Sequence, residues 1–490
     1  MTEPRQLATE AWTELLGAKA VTSEPELLAA LGANTTGFAP RAVVAELRPT
    51  SADQIPAIVQ IARRYAVPVY PYSTGRNWGL GSRVPPRPGC ALLDLRRLDR
   101  IREIDVRQHY AIVEPGVTQE QLADRLRDDQ LPVLLNVTGS SPRSSVVGNL
   151  LERGTGFHNH RVDDLRGLEV VLGTGEKIRT GLWGTDAGPR SRHHYRQGLG
   201  PYLDGLFTQS NLGIVTAAVV NLIPAQDDIS TMVFSFGGAH IGEMIEELAE
   251  LYRESVLRQI THMFNDKRLL TLRGASTVPT WTGVTAVSGP RDFTMSSTDL
   301  VASRVDRWGA DVRVISPHDE VDPFLAGLRD VHLGRPTEMF MRGVYQVLGA
   351  TAEGIDLDDL DGSSIGMLVC NPFLPLEAAP VLEAVEIVES TCEDRSVVPA
   401  IAINPVDGNA LEMVVNIYFD RTQPDETAAA HACNALLHKR LYSAGFRFYR
   451  VDIENMEFLL SGENSGWSIV SKLKTALDPD GVISPGRYSR

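Results

Sequence analysis

The chain has 490 residues, which points to two domains or three. With 43% hydrophobic and 22% charged residues its composition is that of a folded globular protein, which excludes a generally disordered or fibrous chain. A formal net charge of −15 argues against a broad surface for nucleic acid or anionic membrane and leaves room only for a local basic pocket.

Residues 5–33 read as one or two helices, with Leu7, Trp12, Leu15 and Leu16, then Leu27, Leu28 and Leu31, at helical spacing. From Val43 to Val220 short apolar strands alternate with short helices. AVVAELRP (42–49), VPVYPY (67–72), CALLDL (90–95) and HYAIVEP (109–115) predict strands. SADQIPAIVQIARRYA (51–66) predicts a helix opened by Ser51 as N-cap, and TQEQLADRLRD (118–128) a second one. LEVVLGTGEKIRTG (168–181) predicts a hairpin turning at Gly173-Thr174-Gly175. Residues 226–440 form a second region, with a helix in GEMIEELAELYRESV and strands in GMLVCNPF, VVPAIAIN and ALEMVVNIYFD. The closing stretch DPDGVISPG is turn-rich and suited to returning the chain to the first domain. There is no internal repeat. DAGPRSRHHYRQG (186–198) reads as a surface loop and EGIDLDDLDG (353–362) as a solvated acidic loop.

Cys90, Cys370, Cys392 and Cys433 are widely spaced with no C-x-x-C pair, which predicts buried free thiols rather than a zinc or redox centre. The N-terminus has no apolar signal region, and no run of about 18 apolar residues exists that could cross a membrane. The expectation is a soluble, cytoplasmic protein.

The first chemical signal is PYSTGRNWGLGS (71–82). Its glycines allow positive φ and let backbone N–H groups approach an anionic ligand. The spacing is neither G-x-G-x-x-G nor a Walker A loop, so neither nucleotide-binding motif is indicated, and by itself a glycine-rich surface loop explains it equally well.

The loop is followed in order by VEPGVTQEQL (113–122), VVGNLLERGTGF (146–157), LEVVLGTGE (168–176) and GPYLDGLFTQSNLGIVT (200–216), and near the end by FYRVDIENMEF (448–458) and ALDPDGVISPG (476–486). This series resembles flavoproteins of the vanillyl-alcohol oxidase and para-cresol methylhydroxylase (PCMH) group. The resemblance spans nearly the whole chain. It implies an α+β protein: a PCMH-type FAD-binding domain over 1–225, completed by 441–490, and an α+β substrate or cap domain with an antiparallel sheet over 226–440. It implies that Ser73, Thr74, Gly75, Arg76, Asn77, Gly79, Gly81 and Ser82 hold the pyrophosphate. By the same resemblance Pro115, Gly116, Val117, Gly139, Ser140, Gly148, Asn149, Gly154, Gly156, Ile214 and Val215 line the rest of the FAD.

The family's phenol oxidases use a loop tyrosine, a C-terminal Tyr-Arg pair and a carboxylate beside the flavin. Here Tyr449-Arg450 matches the pair, Leu80 stands at the loop tyrosine, and Gly139 or Ser140 stands at the carboxylate. The family's tethering histidine aligns with Glu412-Met413, and residues 1–108 contain no histidine, so FAD is expected to be non-covalent. Tyr418, in the same strand, is expected to be a packed tyrosine rather than a tether. His158 and His160 are the candidates to replace the missing acid–base group. Turn-capping or flavin-binding roles, and a metal site with Asp163 and Asp164, are their rivals.

The resemblance thus implies an FAD-dependent oxidoreductase that abstracts hydride from a small aromatic or otherwise activated alcohol or C–H substrate, with Arg450, Tyr449, His158 and His160 as its catalytic candidates. It implies a small-molecule partner, no nucleic acid and no resident metal, and leaves a homodimer open. An FAD-bound scaffold for non-redox chemistry or ligand binding is the alternative, with a metal-dependent hydrolase a distant third.

Overall fold

A computed structural model describes residues 3–185, 192–273, 278–344, 356–461 and 465–489. Nineteen strands among them form four sheets. The first contains β1 (Val21–Thr22), β2 (Glu46–Leu47), β3 (Val69–Tyr72) and β4 (Ala91–Asp94), ordered β1-β2-β4-β3 with β2, β4 and β3 parallel. The second contains β5 (Ile101–Asp105), β6 (Tyr110–Val113), β8 (Leu165–Leu172), β9 (Lys177–Arg179) and β10 (Gly213–Asn221), antiparallel in the order β5-β6-β10-β8-β9. Two short strands, β7 (Val133–Leu134) and β11 (Ile223–Pro224), pair with each other.

The fourth sheet holds β12 (Asp228–Phe236), β13 (His262–Asn265), β14 (Trp281–Gly289), β15 (Asp311–Ile315), β16 (Ile365–Pro375), β17 (Pro399–Pro405), β18 (Ala410–Asp420) and β19 (Arg447–Arg450). Its antiparallel order is β15-β12-β14-β13-β17-β18-β16-β19.

Local chemistry sets several of these boundaries. Ser51 accepts the amide of Asp53 and forms a reciprocal capping box with Gln54 before the helix Ile55–Tyr65, which ends on Ala66 in the left-handed region. Gly173-Thr174-Gly175 turns β8 into β9 as expected, with Gly175 at φ +84°. AVVAELRP keeps only Glu46–Leu47 as a ladder, although Val44 still donates to the Cys90 carbonyl and Leu92 to that of Ala45.

Strand β18 shows how the large sheet is used. Leu411, Met413, Val415, Ile417 and Phe419 face a core covered by the helices Ala378–Glu393 and Pro424–Ser443. The alternate residues Val414, Asn416 and Tyr418 line a cavity on the other face, the period-2 consequence of a pleated strand. A separate core of Trp12, Leu47, Ile55, Ile58, Val59 and Leu93 supports the first sheet. The C-terminal segment returns to it: Val69 and Ile483 form a parallel bridge, and Asp478 accepts the amides of Val482 and Ile483.

All four cysteines are free and buried. No helix among the described residues is long and apolar enough to cross a membrane. Two loops differ from expectation. Residues 186–191 and 353–355 lie outside the described part, but His193 is buried against Tyr110 and Trp183 instead of covering the surface. Asp361, read as solvated, is also buried; it accepts from Ser82 Oγ at 2.6 Å and from the amide of Thr35 at 2.9 Å.

Candidate active site

One cavity runs from the glycine-rich loop to the face of the large sheet opposite its helices. The loop contributes Ser73, Thr74, Gly75, Arg76, Asn77 and Ser82 to its lining, and the intervening segments contribute Pro115, Gly139, Ser140, Gly148, Asn149, Gly154 and Val215. Among the described residues, the amides of 74–77 donate to no protein acceptor, which leaves a run of oriented N–H dipoles for an anion. Ser145 caps the short helix Val146–Leu151, accepting the Gly148 amide at 2.8 Å, and its own amide donates to Thr74 Oγ1 at 3.1 Å. A Cβ on Gly148 would lie 2.6 Å from Ser73 Oγ, so this close approach of loop to helix requires glycine.

Several expected lining residues stand elsewhere, each for a visible reason. Gly79, at φ +77°, faces β16, where a methyl would overlap Val369; it admits another strand rather than a phosphate. Gly81 packs on Ile453, Gly116 on the Arg96 carbonyl and Gly156 on Asn136. Val117 is core, and Ile214 points to the first sheet's core while Val215 faces the cavity. Ser82 lines the cavity, but its hydroxyl donates to Asp361. The Arg76 guanidinium reaches across to the carbonyls of Arg143 and Asp358.

The two histidine candidates are also absent from the lining. His158 is buried, with Nε2 3.0 Å from the His332 carbonyl oxygen, and burial lowers its pKa to about 4 despite that contact. Its ring faces that carbonyl and not the cavity. His160 stands behind the wall, its Nε2 3.2 Å from Glu412 Oε2 in an ion-pair contact rather than an aligned hydrogen bond. No cluster of three metal-ligating side chains occurs among the described residues.

Sequence reasoning noticed Glu412 only as the position of a missing tether. It is fully buried, and its Oε1 accepts from Asn404 Nδ2 at 3.1 Å and from Thr155 Oγ1. Burial opposes charge on both members of the pair. It is outweighed: Glu412 is held below the usual carboxylate range by His160, Thr155 and Asn404, and His160 is raised by Glu412. Tyr449 adjoins this pair, its ring centroid 6.1 Å from that of His160. Burial first, and the Glu412 charge second, push its phenol well above 10.

Next to it on β19, Arg450 donates from Nη2 to Asn77 Oδ1 at 2.8 Å, so the C-terminal arginine and the glycine-rich loop meet at the cavity. Arg487 also lines the wall but is neutralised by Glu152 at 2.6 Å, in a network with Tyr70 and Tyr488. Leu80, Trp78, Phe157, Phe264, Phe340, Met341, Met367 and Val369 give the rest of the wall an apolar, partly aromatic stretch, interrupted by the polar His262, Asn371, Asn404 and Asn416. A Cβ on Gly139 would lie 3.3 Å from the Phe340 ring, so a longer side chain at the expected carboxylate position would meet an aromatic already there.

A cavity lined by a loop of free amides suits the phosphates of a nucleotide cofactor. Residues 42–181 match the family model described as an FAD binding domain. The chain is 32% identical to 1'-carboxy-chondrochloren decarboxylase of Chondromyces crocatus, covering 99% of this chain and 98% of that protein. It is 28% identical to the 4-cresol dehydrogenase [hydroxylating] flavoprotein subunit of Pseudomonas putida, covering 89% and 86%. The crystal structure of p-cresol methylhydroxylase with substrate bound superposes with a TM-score of 0.90 over 100% of this chain and 97% of that one, at 23% identity. The chain belongs to the PCMH-type flavoprotein family of FAD-dependent oxidoreductases, with the α+β fold of that family. FAD is its cofactor, and the unpaired amides of 74–77 suit its diphosphate in an acidic protein.

Proposed function

We propose that this enzyme oxidises a small phenolic or otherwise activated aromatic substrate and that its FAD is held without a covalent bond. FAD supplies the two-electron acceptor. The observation carrying the reading is Arg450: a guanidinium with no carboxylate within ion-pair distance among the described residues, set where the cofactor loop meets a chamber with aromatic walls. There it orients an acidic substrate oxygen, beside a Tyr449 phenol that burial and the Glu412 charge keep protonated. Hydride then leaves the substrate's activated carbon. Non-covalent FAD is supported by the wall strand: Glu412 is occupied by His160, Thr155 and Asn404, and the Tyr418 hydroxyl by Arg268.

A second reading, oxidative decarboxylation, is favoured by the near-full-length relative named as a decarboxylase and by Phe340 crowding the position of a flavin-side carboxylate. In that case hydride departs from the carbon next to the one bearing the substrate's carboxylate. The C–COO⁻ electron pair becomes the new C=C bond, CO2 is released, and no protein base is needed.

Anaerobic mixing with para-alkylphenols, phenolic alcohols and phenolic acids tests both. Bleaching of the yellow band is expected, with CO2 released from the acids only under the second reading; spectral shifts without bleaching refute oxidation. Arg450→Ala should cost about 2–5 kcal/mol in kcat/KM with FAD retained. Loss of FAD would assign Arg450 to the cofactor instead.

A further inference from the structure

Arg268 opens on the same chamber from a different element, the helix Asp266–Arg273 that follows β13. It is only 9% exposed and shares the lining with Phe264, Phe340 and Met341. Its Nη1 donates to the Tyr418 hydroxyl at 2.6 Å and to Thr271 Oγ1 at 3.2 Å, both neutral partners, while its Nε is buried without an acceptor. Burial keeps the Tyr418 phenol protonated, even against the lowering influence of Arg268, so Tyr418 is no counter-charge. Among the described residues no carboxylate lies within ion-pair distance of Arg268, whereas the equally buried Arg161 and Arg487 are paired with Asp164 and Glu152. An uncompensated cation in an apolar wall is costly to the free protein, and an anion that enters the chamber removes the cost.

The backbone positions that carry Arg450 and the Arg268 partner Tyr418 are well separated along the large sheet. Arg450 stands opposite Asn371 on β16 and Tyr418 opposite Met367, four residues further along the same strand. At about 3.3 Å per residue that is about 13 Å along the sheet.

We propose that Arg268, framed by Tyr418 and Thr271, is a subsite for a substrate carboxylate, so that the substrate is an aryl carboxylic acid with its acid group remote from the oxygen held at Arg450. This rests on the reading of the chamber as the substrate site. Guanidinium suits a carboxylate because its planar fork offers two parallel donors, and here Nε is one donor that lacks an acceptor.

The test titrates the holoenzyme anaerobically with para-hydroxyphenylpropanoate and with its amide, following flavin difference spectra. The acid should bind at least about thirtyfold more tightly than the amide, an advantage that Arg268→Gln abolishes while leaving amide binding and FAD content unchanged. Arg268→Lys should keep only part of the advantage, because the charge survives and the fork does not. It also carries the test if the glutamine variant fails to fold. Equal binding of acid and amide by the parent enzyme, an undiminished preference in the variants, or loss of FAD from Arg268→Gln would each overturn the subsite. If phenols still bleach the flavin, such a result removes the subsite and leaves the oxidation reading standing. If acids bind in an Arg268-dependent way but no phenol is oxidised, the reverse holds.

Discussion

Glu412→Gln should destabilise the protein in a pH-dependent manner, and the structure sets both size and sign. The carboxylate is fully buried and the imidazole of His160 is 14% exposed, so removing one charge leaves the other nearly uncompensated. Breaking a buried pair costs about 3–5 kcal/mol, reduced here to about 2–3 kcal/mol because glutamine's carbonyl can still accept from Asn404 and Thr155. At about 2 °C per kcal/mol for a long chain, Tm falls by ~5 °C. Glu412 has a depressed folded pKa, so its contribution is present above its ordinary value of 4.5 and is lost as pH falls through the folded value. His160 has a raised one, so its contribution is full below 6.5 and is lost as pH rises through the folded value. The pair therefore stabilises most between these two ordinary values. Thermal unfolding of both proteins in excess FAD, followed by circular dichroism and flavin fluorescence, should show the full gap near pH 6 and a smaller one near pH 9. A gap that is absent, or that stays constant over this range, would refute the assignment of a charged pair.

Two further outcomes follow from the cavity walls. Gly79→Ala adds a methyl at a left-handed φ and against Val369, so it should destabilise by about 1–2 kcal/mol from the backbone alone, and by more from the overlap. Combining it with Val369→Ala should restore part of the loss, a coupling of about 1 kcal/mol in a double-mutant cycle; strict additivity would show that the loop does not press on β16 there. Acid precipitation of the holoenzyme should leave a colourless pellet and a yellow supernatant, and colour retained in the pellet would mean that FAD is tethered.

Much of the scaffold was legible because it is governed by short-range rules. The Ser51 capping box, the Gly173–Gly175 turn and the alternation of β18 each need only a few neighbouring residues. The cofactor loop was found by its glycines, yet their individual roles were not. Whether Gly148 admits Ser73 or Gly79 admits Val369 depends on residues that only the folded chain brings together. The acidic run around Asp361 looks solvated because nothing local reveals its donors, Ser82 and Thr35, which are 279 and 326 positions away. His158 and His160 looked equivalent from two residues' separation; one turns to a backbone carbonyl and the other to a buried carboxylate. Arg268 carries no sequence signal, since an arginine in a short helix is ordinary until its missing counter-ion is seen.

The charge arrangement explains why so acidic a chain can still be built around anions. Two buried carboxylates at the cavity wall have cations of their own, Glu152 with Arg487 and Glu412 with His160. Arg450 and Arg268 have neutral partners only, and the loop adds amide dipoles. The overall net charge of −15 therefore coexists with a locally positive interior. A low-dielectric wall makes that local excess count for more than the distant surface charges, which solvent and salt screen over about 8–10 Å. Two uncompensated guanidinium groups facing one chamber are costly to the free protein in a way that neutral side chains would not be. Anionic ligands that discharge both would remove that cost, and a substrate acidic at two ends does so without any change in the fold.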